Sequence, residues 1–123
     1  MWILDTGSCV DLVRRDELSA QETRRITAAD SPQNLLTANG PTKADQEVSL
    51  YVDSCGANTQ ALVMDDSPYV LSLGKLVQDM KFSFEWKRGR PPVLISPNGR
   101  NIPIEVRDYI PMVAAPVMMG GTM

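Results

Sequence analysis

Proline and glycine constrain this chain more than any other feature. Nine prolines and eight glycines are spread through 123 residues. Proline fixes φ and removes a backbone donor, and glycine opens conformations that other residues avoid. The chain is thereby cut into short elements, which favours β structure over long helices. The length suits one domain, which takes about 100–200 residues. With 43% hydrophobic and 22% charged residues, the composition is that of an ordinary globular protein. A disordered acidic tail, a collagen and a low-complexity chain are excluded as the main body. A chain this long buries roughly two-thirds of its unfolded surface, enough for one modest core.

Charge and chemistry narrow the function. The net charge is −3, with no histidine. A mildly acidic chain with few aromatics is a poor general nucleic-acid binder. Without imidazole, Ser–His and Cys–His catalysis are excluded. Two cysteines alone cannot complete a zinc shell, so no metal or other cofactor is expected. Cys9 and Cys55 are expected to stay reduced, because residues 1–4 are too short for a secretory signal. No apolar run approaches the ~20 residues of a membrane helix. The default expectation is an intracellular, cytoplasmic protein that meets no membrane.

Periodicity places the elements. Met1-Trp2-Ile3-Leu4 reads as a buried strand that stops at Asp5-Thr6-Gly7-Ser8. Val10, Leu12 and Val13 suggest a second short strand or a half-turn. The polar stretch 14–34 suggests a short helix around 16–22, then loop. Residues 35–38 read as a strand entering the Asn39-Gly40-Pro41 turn. Residues 48–52 alternate with period two, and 61–64 form another apolar run. Residues 70–73 read as a strand, and Leu76, Val77 and Met80 as one face of a short helix. Phe82, Phe84 and Trp86 alternate along a strand over 81–86, a stripe more consistent with core or interface than with a peptide-binding surface. Strands at 93–95 and 102–106 flank Pro97-Asn98-Gly99, a strong hairpin signal. Residues 1–111 are expected to form the domain, and the uncharged segment 112–123 a flexible tail or linker.

Leu4-Asp5-Thr6-Gly7-Ser8 carries the chemistry. A carboxylate at a strand end, in a tight turn, is held facing a cleft. Glycine lets the backbone come close enough for its N–H to donate to that carboxylate. The threonine hydroxyl is expected to lock the turn, and the serine hydroxyl to donate to the outer carboxylate oxygen. An apolar strand followed by Asp-Thr-Gly-Ser resembles the active-site signature of aspartic peptidases. Downstream, Val70-Leu71-Ser72-Leu73-Gly74-Lys75-Leu76 resembles the second hallmark of retropepsins, the viral and retrotransposon aspartic peptidases. In that family a hydrophobic strand passes beside the catalytic turn and opens a short helix. The resemblance covers roughly residues 2–80, and more weakly the strands of 82–106. Three features depart from the family. Only four residues precede Asp5, where one or two further strands are usual, so a domain truncated at its N-terminus is expected. The flap segment near 37–47 offers Gly40 and Pro41 instead of a glycine pair. Cys9 stands where another small residue is common.

The resemblance implies a mostly β, retropepsin-like closed acid-protease barrel with one short helix, in a retrotransposon polyprotein. It implies a homodimer, because one Asp-Thr-Gly motif supplies one carboxylate and the mechanism needs two. Asp5, Thr6 and Gly7 would be catalytic, with Thr6 bonding across the dimer axis. Ser8, Asn39, Gly40, Val70, Leu71 and Leu73 would bind an extended peptide or polyprotein. The alternative function is an inactive relic that serves as a dimerisation or peptide-binding module. Asp53, Asp65 and Asp66 read as turn residues and not as metal ligands. Lys87-Arg88-Gly89-Arg90 reads as a solvated hairpin turn and not as a nucleic-acid contact.

Overall fold

The computed structural model describes residues 1–37 and 40–114. It is mostly β. In order come β1 (Trp2–Asp5), β2 (Leu12–Arg14), a 3-10 turn (Arg15–Glu17), α1 (Ala20–Arg24), β3 (Thr27–Thr37), β4 (Gly40–Val52) and β5 (Ala57–Met64). Then follow β6 (Val70–Ser72), α2 (Leu73–Gln78), β7 (Ser83–Glu85), β8 (Val93–Ile95), β9 (Asn101–Ile102), β10 (Glu105–Arg107) and β11 (Ile110–Val113).

Eight strands form one sheet in the order β10-β11-β1-β6-β2-β5-β4-β3, and β7-β8-β9 form a second. The large sheet is open, so the expected closed barrel is not formed. Its two outer strands, β10 and β3, do not pair with each other. The resemblance implies one short helix, but there are two, α1 and α2, near the two places where the residue pattern suggests them. Ser19 opens α1 with a capping box: the Glu22 N–H donates to Ser19 Oγ at 3.0 Å, and the Ser19 N–H to Glu22 Oε1 at 2.8 Å. This cap starts the helix at Ala20, later than the expected 16–22.

β1 is short but doubly held. It runs parallel to β6, with Ile3 opposite Val70, Leu4 opposite Leu71 and Asp5 opposite Ser72. On its other side it runs antiparallel to β11, with Trp2 opposite Val113. Trp2 and Leu4 point inward with Val13, Val48, Leu71, Leu94 and Ile102 in the main core. The strand β11 carries the fold beyond the expected boundary at 112. Val113 is fully buried, so Met112 and Val113 belong to the sheet and not to a tail. Residues 115–123 lie outside the described part.

Other differences have local causes. The segment expected to be loop before 35 is the edge strand β3, whose faces are largely exposed and so carry no apolar alternation. The strand expected over 102–106 is split at Pro103 into β9 and β10, which join different sheets. The strand expected over 81–86 shortens to β7, because Lys81 has a positive φ of 64°. Both predicted turns form: the Arg90 N–H donates to the Lys87 carbonyl, and the Gly99 N–H to the Ser96 carbonyl.

Trp2 packs edge-on against Tyr69, with ring centroids 4.8 Å apart. Burial first, then the charges of Glu22, Glu17 and Asp16, push the Tyr69 phenol up to about 12 from its ordinary 10.0. The folded state therefore favours the neutral phenol. Its contribution to stability is complete below pH 10 and is lost as pH rises through 12. Urea midpoints measured across pH 9 to 12 should fall less steeply in Tyr69→Phe than in the native chain. Parallel curves for the two proteins would refute this assignment.

Candidate active site

The Asp5 turn is built on the central, doubly paired strand β1. The Gly7 N–H donates to Asp5 Oδ1 at 2.7 Å. A Cβ at Gly7 would stand 3.2 Å from that same oxygen, so a side chain there would press the carboxylate outward by a few tenths of an ångström. Asp5 is half-buried, and Thr6 and Gly7 are exposed. The Ser8 hydroxyl donates to the Val10 carbonyl at 2.6 Å and accepts from the Val10 N–H at 3.4 Å. It therefore closes its own turn instead of donating to the Asp5 carboxylate as expected.

Asp5 and Thr6 open onto a groove of about 550 Å³, lined also by Leu73, Phe84, Trp86 and Tyr109. On the other side of the turn, Thr6, Gly7 and Ser8 share a shallower hollow with Ser72, Gly74 and Lys75. The three apolar wall candidates separate. Leu73 lines the Asp5 groove. Val70 lines a different cavity, about 410 Å³, with Leu36, Thr37 and Thr42 of the β3–β4 hairpin. Leu71 is 2% exposed and packs in the main core. Gly40 opens β4 with a positive φ of 101°, and its carbonyl accepts from the Thr37 hydroxyl at 2.8 Å. It lines no part of the Asp5 groove. Asn39 lies outside the described residues.

Sequence reasoning missed Asp11. This carboxylate is 4% exposed. Its Oδ1 accepts from the Ser72 N–H at 2.7 Å, and its Oδ2 accepts from the Thr59 hydroxyl. The Lys75 ammonium lies 3.5 Å from the same Oδ2. Ser72 is also the register partner of Asp5 and the N-cap of α2, accepting from the Lys75 N–H at 3.2 Å. One carboxylate thus ties β5, β6 and α2 beside the Asp5 turn. In the sequence, Asp11 looks like one more polar residue after a turn. Its only signal is an acidic residue in front of the apolar pair Leu12-Val13.

The aromatic wall was half visible. The Phe82/Phe84/Trp86 alternation divides by depth: Phe82 is buried, Phe84 half-buried and Trp86 exposed. Tyr109 comes from a turn that periodicity could not place.

A larger cavity, about 670 Å³, lies between the β4–β5 and β8–β9 turns and contains none of the motif residues. Among the described residues, no cluster of three or more His, Cys, Asp or Glu side chains is placed to hold a metal. Asp65 instead pairs with Arg15 at 2.9 Å. Cys9 and Cys55 are free thiols, one exposed and one buried, and burial raises the Cys55 thiol above its ordinary range. No helix of the described residues is long and apolar enough to cross a membrane. No family model matches the chain, and a search of curated proteins found no match either.

Replacing Asp11 with alanine would leave a buried amide, a hydroxyl and an ammonium without their acceptor. The expected cost is about 2–3 kcal/mol. Urea unfolding at neutral pH measures it, and a loss below about 0.5 kcal/mol, the ordinary range of a surface change, would show that the node does not hold the fold.

Proposed function

We propose that the chain is an aspartic endopeptidase of the retropepsin type, completed by a second copy of itself. One observation carries this reading. Asp5 ends a strand paired on both sides, and its turn is closed by the Gly7 N–H at 2.7 Å beside an apolar groove. The element order supports it: an Asp turn, a long hairpin over β3–β4, then β6 beside the Asp5 strand and opening α2.

The chemistry follows from two carboxylates sharing one proton. Like charges ~3 Å apart cannot both ionise, so one Asp5 is ionised and its symmetry mate protonated. The ionised member takes a proton from a bound water. The resulting hydroxide adds to the scissile carbonyl carbon, while the protonated member gives its proton to the carbonyl oxygen. Collapse of the tetrahedral species then breaks the C–N bond, and the amine leaves with a proton from the dyad. No covalent intermediate with the enzyme forms. Main-chain pairing of an extended peptide, as an added strand, would align the bond with the dyad. Titration belongs to the pair, so activity requires a pH at which the dyad keeps one proton.

Cleavage of a mixed peptide library from about pH 3 to 7, the range of carboxylate titration, tests the reading. The native chain should cut best on the acid side, next to apolar side chains. Asp5→Asn should lose at least about 100-fold, the scale of a removed acid–base group. A sedimentation-proven dimer that cuts nothing would leave only the dimerisation or peptide-binding module.

A further inference from the structure

We infer that the cavity between the β4–β5 and β8–β9 turns is a binding site for a small carboxylate with an apolar body, held at its charged end by Arg100. The cavity shares no lining residue with the Asp5 groove, so the inference stands whether or not the chain cuts peptides. Its volume, about 670 Å³, is that of a small-molecule pocket.

The lining runs against the charge of the chain. The sequence has 15 acidic and 12 basic residues. Yet among the described residues that line the cavity, Arg100 alone is charged, and no carboxylate faces it there. The Arg100 guanidinium forms no ion pair among the described residues.

The placement of that cation is built from both turns. On one side, the Arg100 N–H donates to Ser96 Oγ at 3.0 Å, and the Arg100 carbonyl accepts from the Ser96 N–H at 2.9 Å. Ser96 is buried, so the backbone of Arg100 is anchored. On the other side, the Gly56 N–H donates to the Val52 carbonyl at 2.8 Å and closes the β4–β5 turn. A Cβ built on Gly56 would stand 2.8 Å from Arg100 Nη2 and 3.7 Å from the Tyr51 hydroxyl. The guanidinium and the hydroxyl therefore converge over this glycine, whose lack of a side chain leaves them room.

This pair of donors selects the ligand. The planar arginine fork matches the two oxygens of a carboxylate, and a tyrosine hydroxyl can donate a further bond. One cation balances one negative charge. A phosphate dianion would keep an uncompensated charge in a chain that is already acidic. The buried Cys55 and Phe82 and the half-buried Met80 add apolar surface to the lining. An aryl group suits that surface, since aromatic rings pack on rings and on thioethers.

Phenylbutyrate is a suitable probe, with neutral phenylbutyramide beside it. Each would be titrated into the isotope-labelled full chain while the amide NMR signals of Gly56, Asn58 and Arg100 are followed. Phenylbutyrate should move these signals and saturate in the low-millimolar range or tighter. The amide should bind about ten-fold more weakly or worse, because it gives up the charge-assisted bonds. Arg100→Gln should weaken phenylbutyrate by about the same factor and leave the amide unmoved. It should melt with the native chain, since the turn is held by backbone bonds that the substitution keeps. Arg90→Gln, an exposed arginine in a different turn, should bind phenylbutyrate normally. No movement of the three signals overturns the inference. Equal binding of acid and amide by the native chain also overturns it, as does unaltered binding of the acid by Arg100→Gln. The comparison of acid and amide needs no variant, so it decides the matter even if Arg100→Gln fails to fold.

Discussion

The site hangs on the buried carboxylate of Asp11. A charge at that depth is costly unless donors surround it. Here a backbone amide, a hydroxyl and an ammonium do so, and each comes from a different place: Ser72 at the β6–α2 junction, Thr59 on β5 and Lys75 on α2. Satisfying one side chain therefore fixes three segments against the start of β2. The backbone of the same residue adds a fourth tie, because its carbonyl accepts from the Leu62 N–H at 2.9 Å. Ser72 stands directly across from Asp5. The node thus sets the position of the strand against which the Asp5 turn is registered, without touching the turn itself.

The sheet distributes stiffness in the same sense. β1 and β6 lie in the middle of the order, where each has a neighbour on both sides. The outer strands are built differently. On one side β3 shows Pro32 and a register shift between Ala28 and Gln33, and most of its residues are exposed. Proline and irregular pairing both discourage another chain from adding to an open edge. On the other side β10 is three residues long and fully exposed, with the Glu105–Arg107 ion pair on it. Short, charged edges serve the same end. An open sheet can persist because neither margin offers a long, flat, apolar strand.

These contrasts explain what could be read from the sequence. The buried strands announced themselves: residues 48–52 fall within β4, 61–64 within β5 and 93–95 match β8. Their apolar periodicity is a direct image of burial. β3 was read only at its end, residues 35–37, since the largely exposed rest of this edge strand has no core to point at. The Asp5 turn was legible down to the Gly7 bond, because that contact joins residues two apart. Asp11 was not, because its partners Thr59 and Ser72 lie 48 and 61 residues away. The closed barrel failed for a related reason. Closure depends on how sheet margins meet, and periodicity describes each strand alone. The segregation of Val70, Leu71 and Leu73 into two cavities and the core follows from strand alternation and the start of α2 at Leu73.

The strain at Tyr109, a bulky residue with a positive φ of 68°, ties an exposed hairpin to the interior. A residue held in a sparsely populated conformation costs about 1–3 kcal/mol and persists only where its surroundings over-determine it. Tyr109 is 90% exposed, so side-chain contacts within one chain do little to hold it. What holds it is the backbone pairing of β10 with β11, and β11 is in turn held by β1 through Trp2 opposite Val113 and Ile3 opposite Met112. The strand that ends in Asp5 therefore also offsets the strain of the Tyr109 turn. β11 is thus held between β10 and β1, and the other side of β1 is registered on β6. The Tyr109 hairpin and the buried Asp11 node thus reach the same four-residue strand from opposite sides, one through β11 and the other through Ser72 of β6.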